Sequence, residues 1–417
     1  MFHLHIKKHK NLSLLSFIFN DNDFRVDKKH EIVMATPAPL IEVNGTSSER
    51  GQQYGEAARE RIKLGIGHYQ AQLGLSALTE ADIHALVHRF LPVIAAFDGD
   101  YIPEMRGIAR GADVAFEDIV MLNARTEILK LGLRQSRPAA DDDMECTGLV
   151  VTGEAAADGR LIHAQNWDWK VECAETAVVL KIRRDDGPDI LTFTEAGGLA
   201  RSGFNAAGIA ITANYLQSDR DYRQTGVPLA LIRRKVLQQD NLAHAMHAVY
   251  ATPKSASNNM IVSHPAGIVI DFECAPDETF QVHPDGGILA HANHWQSPVA
   301  LSKLKDTGIA ATPDSLYRDL RVRGLLVPHR GRITCDTVKA ALFDDFQSPR
   351  AVCRPPCLTL AGTMTATVAM VVMTPALGTM EVAMLPAADR TFTRYQLAMD
   401  AAAFQGTAEG QTLRAAE

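Results

Sequence analysis

The chain changes character once, at an acidic, proline-broken stretch, Arg137-Pro138-Ala139-Ala140-Asp141-Asp142-Asp143. Before it, from residue 47 to about 133, apolar residues recur at helical spacing. Thr79-Glu80-Ala81-Asp82 has the form of a capping box that opens a helix through Ala85, Leu86, Phe90, Ile94 and Phe97. The spacing predicts a second helix from about Phe116 through Ile119, Leu122, Ile128 and Leu131, with Glu117 and Asp118 at its positive end. After the acidic stretch, short runs rich in Val, Ile and Thr predict strands at 147–152, 161–165, 176–183, 190–194, 208–213, 260–263, 268–272 and 366–373. Ala157-Asp158-Gly159-Arg160 and His264-Pro265-Ala266-Gly267 read as hairpin turns. Helical patterns return at 229–238, 242–250, 315–326 and 335–343. Clustered strands flanked by helical runs specify an α+β layered fold instead of βαβ repeats. Only the loop at 137–145 has the composition of a boundary.

Composition matters here for what it excludes. Forty-two Lys and Arg against 49 Asp and Glu leave a net charge of −7. There is no basic footprint for a nucleic acid or an anionic membrane surface. No apolar run approaches the ~20 residues of a membrane span, and six cysteines are too few for a disulfide scaffold. A cytoplasmic enzyme is the expectation. The first 33 residues combine basic residues with a short apolar run at 12–19, but Asn20-Asp21-Asn22-Asp23 stands where a signal-cleavage site would need small residues. Residues 1–33 are therefore read as a doubtful leader or an over-long start, with Met34 as the expected beginning.

The chain has no phosphate-binding G-x-x-x-x-G-K-[ST], no G-x-G-x-x-G, no H-E-x-x-H and no C-x-x-C. Cys353-Arg354-Pro355-Pro356-Cys357 lacks a matching His or Cys pair, so neither a metal nor an organic cofactor is expected. The most informative local feature is Met144-Glu145-Cys146-Thr147-Gly148, a thiol where the acidic loop enters a strand. A lone cysteine is ordinarily a small buried hydrophobe. A tight Asp158-Gly159 turn changes its setting, because the returning strand, His163-Ala164-Gln165-Asn166-Trp167-Asp168-Trp169, ends near the start of the first. That hairpin is expected to set Asp168 beside Cys146, with Asn166 and Trp167 close by.

These residues belong to a longer ordered set. It includes Gly51-x-x-x-Gly55, Glu104 to Ala112, Ile119 to Glu127, Cys146-Thr147, Gln165 to Asp168, Thr194 to Gly197, Gly203-Phe204-Asn205, Thr225 to Pro228, His291-Ala292-Asn293-His294 and Val352-Cys353-Arg354. In this set the chain resembles the acyl-coenzyme A:6-aminopenicillanic acid acyltransferase family (peptidase family C45), a cysteine branch of the N-terminal-nucleophile (Ntn) hydrolases. The resemblance implies a four-layer αββα sandwich made as an inactive zymogen. Autocatalytic cleavage between Glu145 and Cys146 would divide one domain into a leading segment, 34–145, and a catalytic segment, 146–417. It implies Cys146 as thiol nucleophile, its freed α-amine as general base, Asp168 as active-site carboxylate and Asn293 as an oxyanion donor. The partners implied are a small-molecule N-acyl substrate and the chain's own leading segment, with a coenzyme A thioester as a candidate acyl donor.

Two departures bear on the chemistry. Glu145 precedes the nucleophile where the penicillin-making enzymes carry glycine, which bears on self-cleavage. The active-site arginine of those enzymes falls near Met364, which weakens the case for a carboxylate-bearing substrate and favours hydrolysis of simple N-acyl amides; Arg354 is the candidate spatial substitute. Two rivals remain. Cys146 and His294 also supply a conventional Cys-His, papain-like peptidase, and Glu145 fits an unprocessed, non-catalytic scaffold. Arg318 and Arg321 are expected on a solvated or structural helix face.

Overall fold

The computed structural model describes residues 36–74, 79–136, 145–359 and 362–400, together with three strands ahead of them. Those strands, β1 (His5–His9), β2 (Leu12–Ser16) and β3 (Ile32–Val33), form a small antiparallel sheet of their own. The rest of the expected leader and the acidic loop up to residue 144 lie outside the described residues.

A strand, β4 (Leu40–Val43), precedes six helices: α1 (Ser47–Ala57), α2 (Arg59–Gly74), α3 (Glu80–Phe97), α4 (Tyr101–Ala112), α5 (Phe116–Asn123) and α6 (Arg125–Ser136). The capping box at α3 forms as expected: the Thr79 hydroxyl accepts from Asp82 N, and the Asp82 carboxylate accepts from Thr79 N. The single helix expected from 116 to 131 is instead two. Asn123 donates to the carbonyls of Ile119 and Gly197 and accepts from Leu199 N, and the chain turns at Ala124. A contact 74 residues away in sequence thus overrides an unbroken helical pattern.

The glycine spacing in α1 and α4 has a packing cause. A Cβ on Gly51 or Gly55 would lie 2.0 or 2.2 Å from the carbonyl oxygens of Glu104 or Ile108, and one on Gly107 or Gly111 would strike α1 as closely. Four glycines let the two helix backbones touch, so this motif serves architecture and not chemistry.

Fourteen strands follow: β5 (Glu145–Val151), β6 (Ile162–Lys170), β7 (Ala177–Ile182), β8 (Ile190–Glu195), β9 (Ser202–Asn205), β10 (Ala210–Tyr215), β11 (Asn258–His264), β12 (Ile268–Cys274), β13 (Thr279–Val282), β14 (Ile288–His291), β15 (Cys357–Leu358), β16 (Met364–Thr374), β17 (Thr379–Met384) and β18 (Thr393–Gln396). Between them stand α7 (Leu229–Leu237), α8 (Leu242–Tyr250), α9 (Pro298–Leu301), α10 (Ser315–Leu326) and α11 (Cys335–Leu342). One sheet runs β13-β12-β11-β10-β9-β8-β7-β4 and the other β14-β5-β6-β16-β17-β18, with β15 beside β16. Because β4 pairs in parallel with β7, the leading region completes a sheet of the following one, and the two share a core.

The sheets face each other through β10 against β5 and β6, with α7 and α8 outside one sheet and α10 and α11 outside the other. This is the four-layer αββα sandwich. Alternation along each strand assigns the faces. Leu149, Val151, Ile162 and Ala164 point outward to Val322, Leu326 and Val338. Val150 points inward against Ile261. The inner layer near the site is polar: His163 shares hydrogen bonds with Ser263 and Thr212, and Gln165 bonds Ala213 O, Asn214 and Ser202. Burial holds His163 neutral, its pKa pushed down to about 3. At Gly148 an added Cβ would lie 2.8 Å from Ile261 Cδ1, so the sheets close tightly two residues from the thiol.

Candidate active site

Cys146 lies at the beginning of β5, paired with Trp167 of β6, and Glu145 is paired with Asp168. Directly opposed residues share a sheet face. The thiol and the Trp167 indole therefore point inward, whereas the carboxylates of Glu145 and Asp168 point outward. The hairpin brings Asp168 to the site as expected, but sets its carboxylate beside that of Glu145 instead of the thiol.

On the inner face Cys146 lines a cavity with Arg125, Trp167, Arg201, Tyr215 and Arg233. Arg201 donates to Sγ across 3.7 Å, and its guanidinium lies 4.1 Å above the Trp167 ring. Burial pushes the thiol up, and Arg201 partly offsets this. Arg125, from the leading region, is ion-paired with Glu195 and bonded to the Tyr69 hydroxyl, which also accepts from Trp169 Nε1. A wall of the cavity is thus built from α6, a helix that precedes the expected cut.

On the outer face Arg318 and Arg354 are fully buried among carboxylates. Arg318 donates to Cys146 O at 2.7 Å, Thr147 Oγ1 at 2.9 Å, Glu145 Oε2 at 2.5 Å, Asn293 Oδ1 at 2.9 Å and Asp314 Oδ2 at 3.0 Å. Arg354 bonds Glu145 and Asp314 and lies 3.6 Å from Asp168. Asp168 also accepts from Thr367 Oγ1 at 2.6 Å. Burial lifts the Glu145 carboxyl to about 7 against the pull of the two arginines. Of the solvated or structural face expected for Arg318, the structure shows the structural one: Arg318 is the buried hub that fixes both residues flanking the Glu145–Cys146 peptide bond. Arg321, one turn away, does lie at the surface, paired with Asp344.

Asn293 joins the two faces. Its Oδ1 accepts from Cys146 N at 2.8 Å as well as from Arg318, and its Nδ2 donates to Tyr215 O. The loop that carries it is tied down by a buried charge cluster. His291 Nε2 lies 2.8 Å from Glu273, whose carboxylate also accepts from the backbone of Gln296 and Ser297. Burial opposes charge on His291, yet Asp271 and Glu273 outweigh it and lift its pKa to about 9. A group raised in the folded state stabilises it fully below its ordinary value near 6.5 and loses that contribution as pH rises through about 9. The Tm is therefore expected to fall between pH 6.5 and 9, and His291→Gln to flatten that slope in thermal melts.

The remaining expected neighbours divide. Trp167 lines the cavity, whereas Arg354, the candidate substitute cation, lies on the outer face with Glu145 and Asp314 and does not line the cavity. Asn166 is not in contact with the cavity: its amide donates to Leu342 O and Val352 O on the outer face. His294 bonds Ser315 Oγ through Nδ1 and faces Asp319 at 3.9 Å, so its ring is engaged away from the thiol. All six cysteines are free thiols. Among the described residues no helix is long and apolar enough to cross a membrane.

The chain is similar to several known proteins. The family model for acyl-coenzyme A:6-aminopenicillanic acid acyl-transferase matches residues 155–384, more than half of the chain. The chain is 28% identical over 316 residues to the acyl-coenzyme A:6-aminopenicillanic-acid-acyltransferase 40 kDa form of Emericella nidulans, covering 75% of this chain and 84% of that protein. Similar solved structures include a conjugated bile acid hydrolase mutant from Clostridium perfringens, at 13% identity and TM-score 0.43, covering 60% of this chain and 92% of that one. Another is penicillin V acylase from Agrobacterium tumefaciens, at 14% identity and TM-score 0.38, covering 63% and 89%. By the extent of the family match, the chain belongs to the acyl-coenzyme A:6-aminopenicillanic acid acyltransferase family.

Proposed function

We propose that this protein is a self-processed cysteine Ntn enzyme that hydrolyses small N-acyl amides or transfers their acyl group. The observation that carries the reading is the setting of Cys146, whose backbone nitrogen is held by Asn293 while its thiol faces the cavity. The nitrogen and sulfur of one residue then serve the same site.

In the precursor the thiol adds to the Glu145 carbonyl carbon, the C–N bond to Cys146 breaks, and the nitrogen takes up the thiol proton. Water hydrolyses the resulting thioester, leaving a Glu145 carboxylate and a Cys146 with a free thiol and α-amine. Turnover repeats this chemistry on substrate. The α-amine, with an ordinary pKa near ~8, accepts the thiol proton and passes it to the leaving amine. Water takes the acyl group in hydrolysis, and a second amine takes it in transfer. Asn293 holds the α-amine through Oδ1, and its other amide N–H serves the oxyanion. Asp168 holds Arg354 and Arg318 in place after Glu145 departs, and so acts as a positioning residue. The engagement of His294 with Ser315 speaks against the papain-like alternative.

Acid quenching during turnover of an N-acyl amide panel, followed by mass spectrometry, tests the reading. A thioester on the peptide beginning at Cys146 supports it; turnover with no acyl adduct at Cys146 contradicts it. Asn293→Ala is expected to lower kcat by about 10²–10³, the usual effect of removing one oxyanion donor. Steady-state kinetics on the same panel measure it.

A further inference from the structure

The cavity beside the thiol holds two arginines with no close ion-pair partner among the described residues, Glu195 and Glu127 acting on Arg201 and Arg233 only from a distance. Its three arginines differ in their partners. Arg125 is ion-paired with Glu195. Arg201 and Arg233 have no carboxylate within 4 Å among the described residues, and the Nε of each is buried without a hydrogen-bond partner, as is that of Arg234 and Arg354; the missing carboxylate is what sets the two apart. Elsewhere this fold pairs its buried guanidiniums: Arg234 with Glu104, Arg318 and Arg354 with Glu145 and Asp314. Two half-buried cations left over in a cavity fit an anion supplied from outside.

We propose that Arg201 and Arg233 form a carboxylate subsite, and that the substrates are N-acyl α-amino acids, with the carboxylate on the carbon next to the scissile amide nitrogen. This rests on Cys146 being the nucleophile. Distance selects the α position. Arg201 lies 3.7 Å from Sγ and is held flat on Trp167. A carboxylate about 2.8 Å from that guanidinium must lie within a few bonds of the carbon under attack. In an N-acyl α-amino acid the carboxylate carbon is two bonds from the amide nitrogen, whereas an anion at the far end of an acyl chain would be out of reach. Arginine also suits the task, because its planar fork grips both carboxylate oxygens. Burial, with Arg201 and Arg125 nearby, pulls the Arg233 guanidinium down to about 9, a strain that a bound anion relieves. The cation lost near Met364 is thus replaced from a different part of the fold.

Iodoacetate and iodoacetamide separate this role from simple activation of the thiol. In each case the thiolate displaces iodide and forms a C–S bond, but only iodoacetate has a carboxylate next to the attacked carbon. Arg201 acting on the thiolate alone speeds both reagents equally. The subsite is expected to raise the iodoacetate-to-iodoacetamide rate ratio at Cys146, read by mass spectrometry, about tenfold above that of free cysteine. Arg201→Gln and Arg233→Gln are expected to return the ratio to the free-cysteine value, and Arg233→Lys to keep most of it. In turnover, N-acyl α-amino acids should exceed their neutral carboxamides in kcat/KM by a similar factor. A wild-type ratio equal to that of free cysteine overturns the subsite while leaving the nucleophile intact. A Cys146 that neither reagent alkylates overturns both.

Discussion

Cys146→Ala is expected to yield one uncut chain with no measurable amide turnover, a loss of about 10⁴–10⁶ relative to the processed wild type. In this mechanism one side chain performs the self-cleavage and the later acyl transfer, so its removal stops both at the first step. Cys146→Ser is expected to remain uncut as well. Folding should survive either change, because the thiol is a small buried group whose polar contact is a long one to Arg201. The measurement is a denaturing gel beside an activity assay. A cut Cys146→Ala chain, or one with activity near that of the wild type, would remove the basis of the mechanism.

Arg318→Met has the second largest expected effect, and it acts through position. Arg318 grips the carbonyl of Cys146, the side chains of Glu145, Thr147 and Asn293, and the Asp314 carboxylate, all out of contact with solvent. Without it, Glu145, Asp168 and Asp314 share Arg354 as their one fully buried cation. Removing one partner from a buried ionic cluster typically costs about 3–5 kcal/mol. The Glu145–Cys146 peptide also loses the group that aligns it. The expected result is a precursor less stable by that amount in urea unfolding and unprocessed on a gel. Arg321→Met is the control on the same helix: its pair with Asp344 is partly exposed, and the expected cost is under about 1 kcal/mol. Equal effects from the two substitutions would refute the hub assigned to Arg318.

Much of this site was legible in the sequence, and the remainder was hidden for identifiable reasons. The hairpin from Cys146 to Asp168 could be read because a glycine turn and two apolar strands are local signals. Its register could not, and a one-residue offset decides that Asp168 faces Arg354 and not the thiol. Strands such as Ser202–Asn205 and Thr379–Met384 lack the Val-, Ile- and Thr-rich runs that marked the others. The break at Ala124 escaped because its cause, the docking of Asn123 on Gly197 and Leu199, is long-range. Arg318 did leave a trace. It stands four and eight residues before Val322 and Leu326, on the helix stripe that faces the sheet, and four after Asp314. A charge on an apolar stripe is a buried charge, and that was the signal to weigh. Arg201 and Arg233 left none, because nothing in a sequence tells an arginine facing a cavity from one facing solvent.

The Glu145 departure takes on a physical role in this setting. In the uncut chain its carboxylate neutralises Arg318 and Arg354, a function glycine could not perform. Under the proposed self-cleavage, the residue before the cut helps to hold the scissile bond that it shares with Cys146. The most direct test of the whole account is N-terminal sequencing of the purified wild-type protein after separation on a denaturing gel. A large fragment beginning Cys146-Thr147-Gly148 is expected. A single intact chain that still turns over N-acyl amides would contradict it.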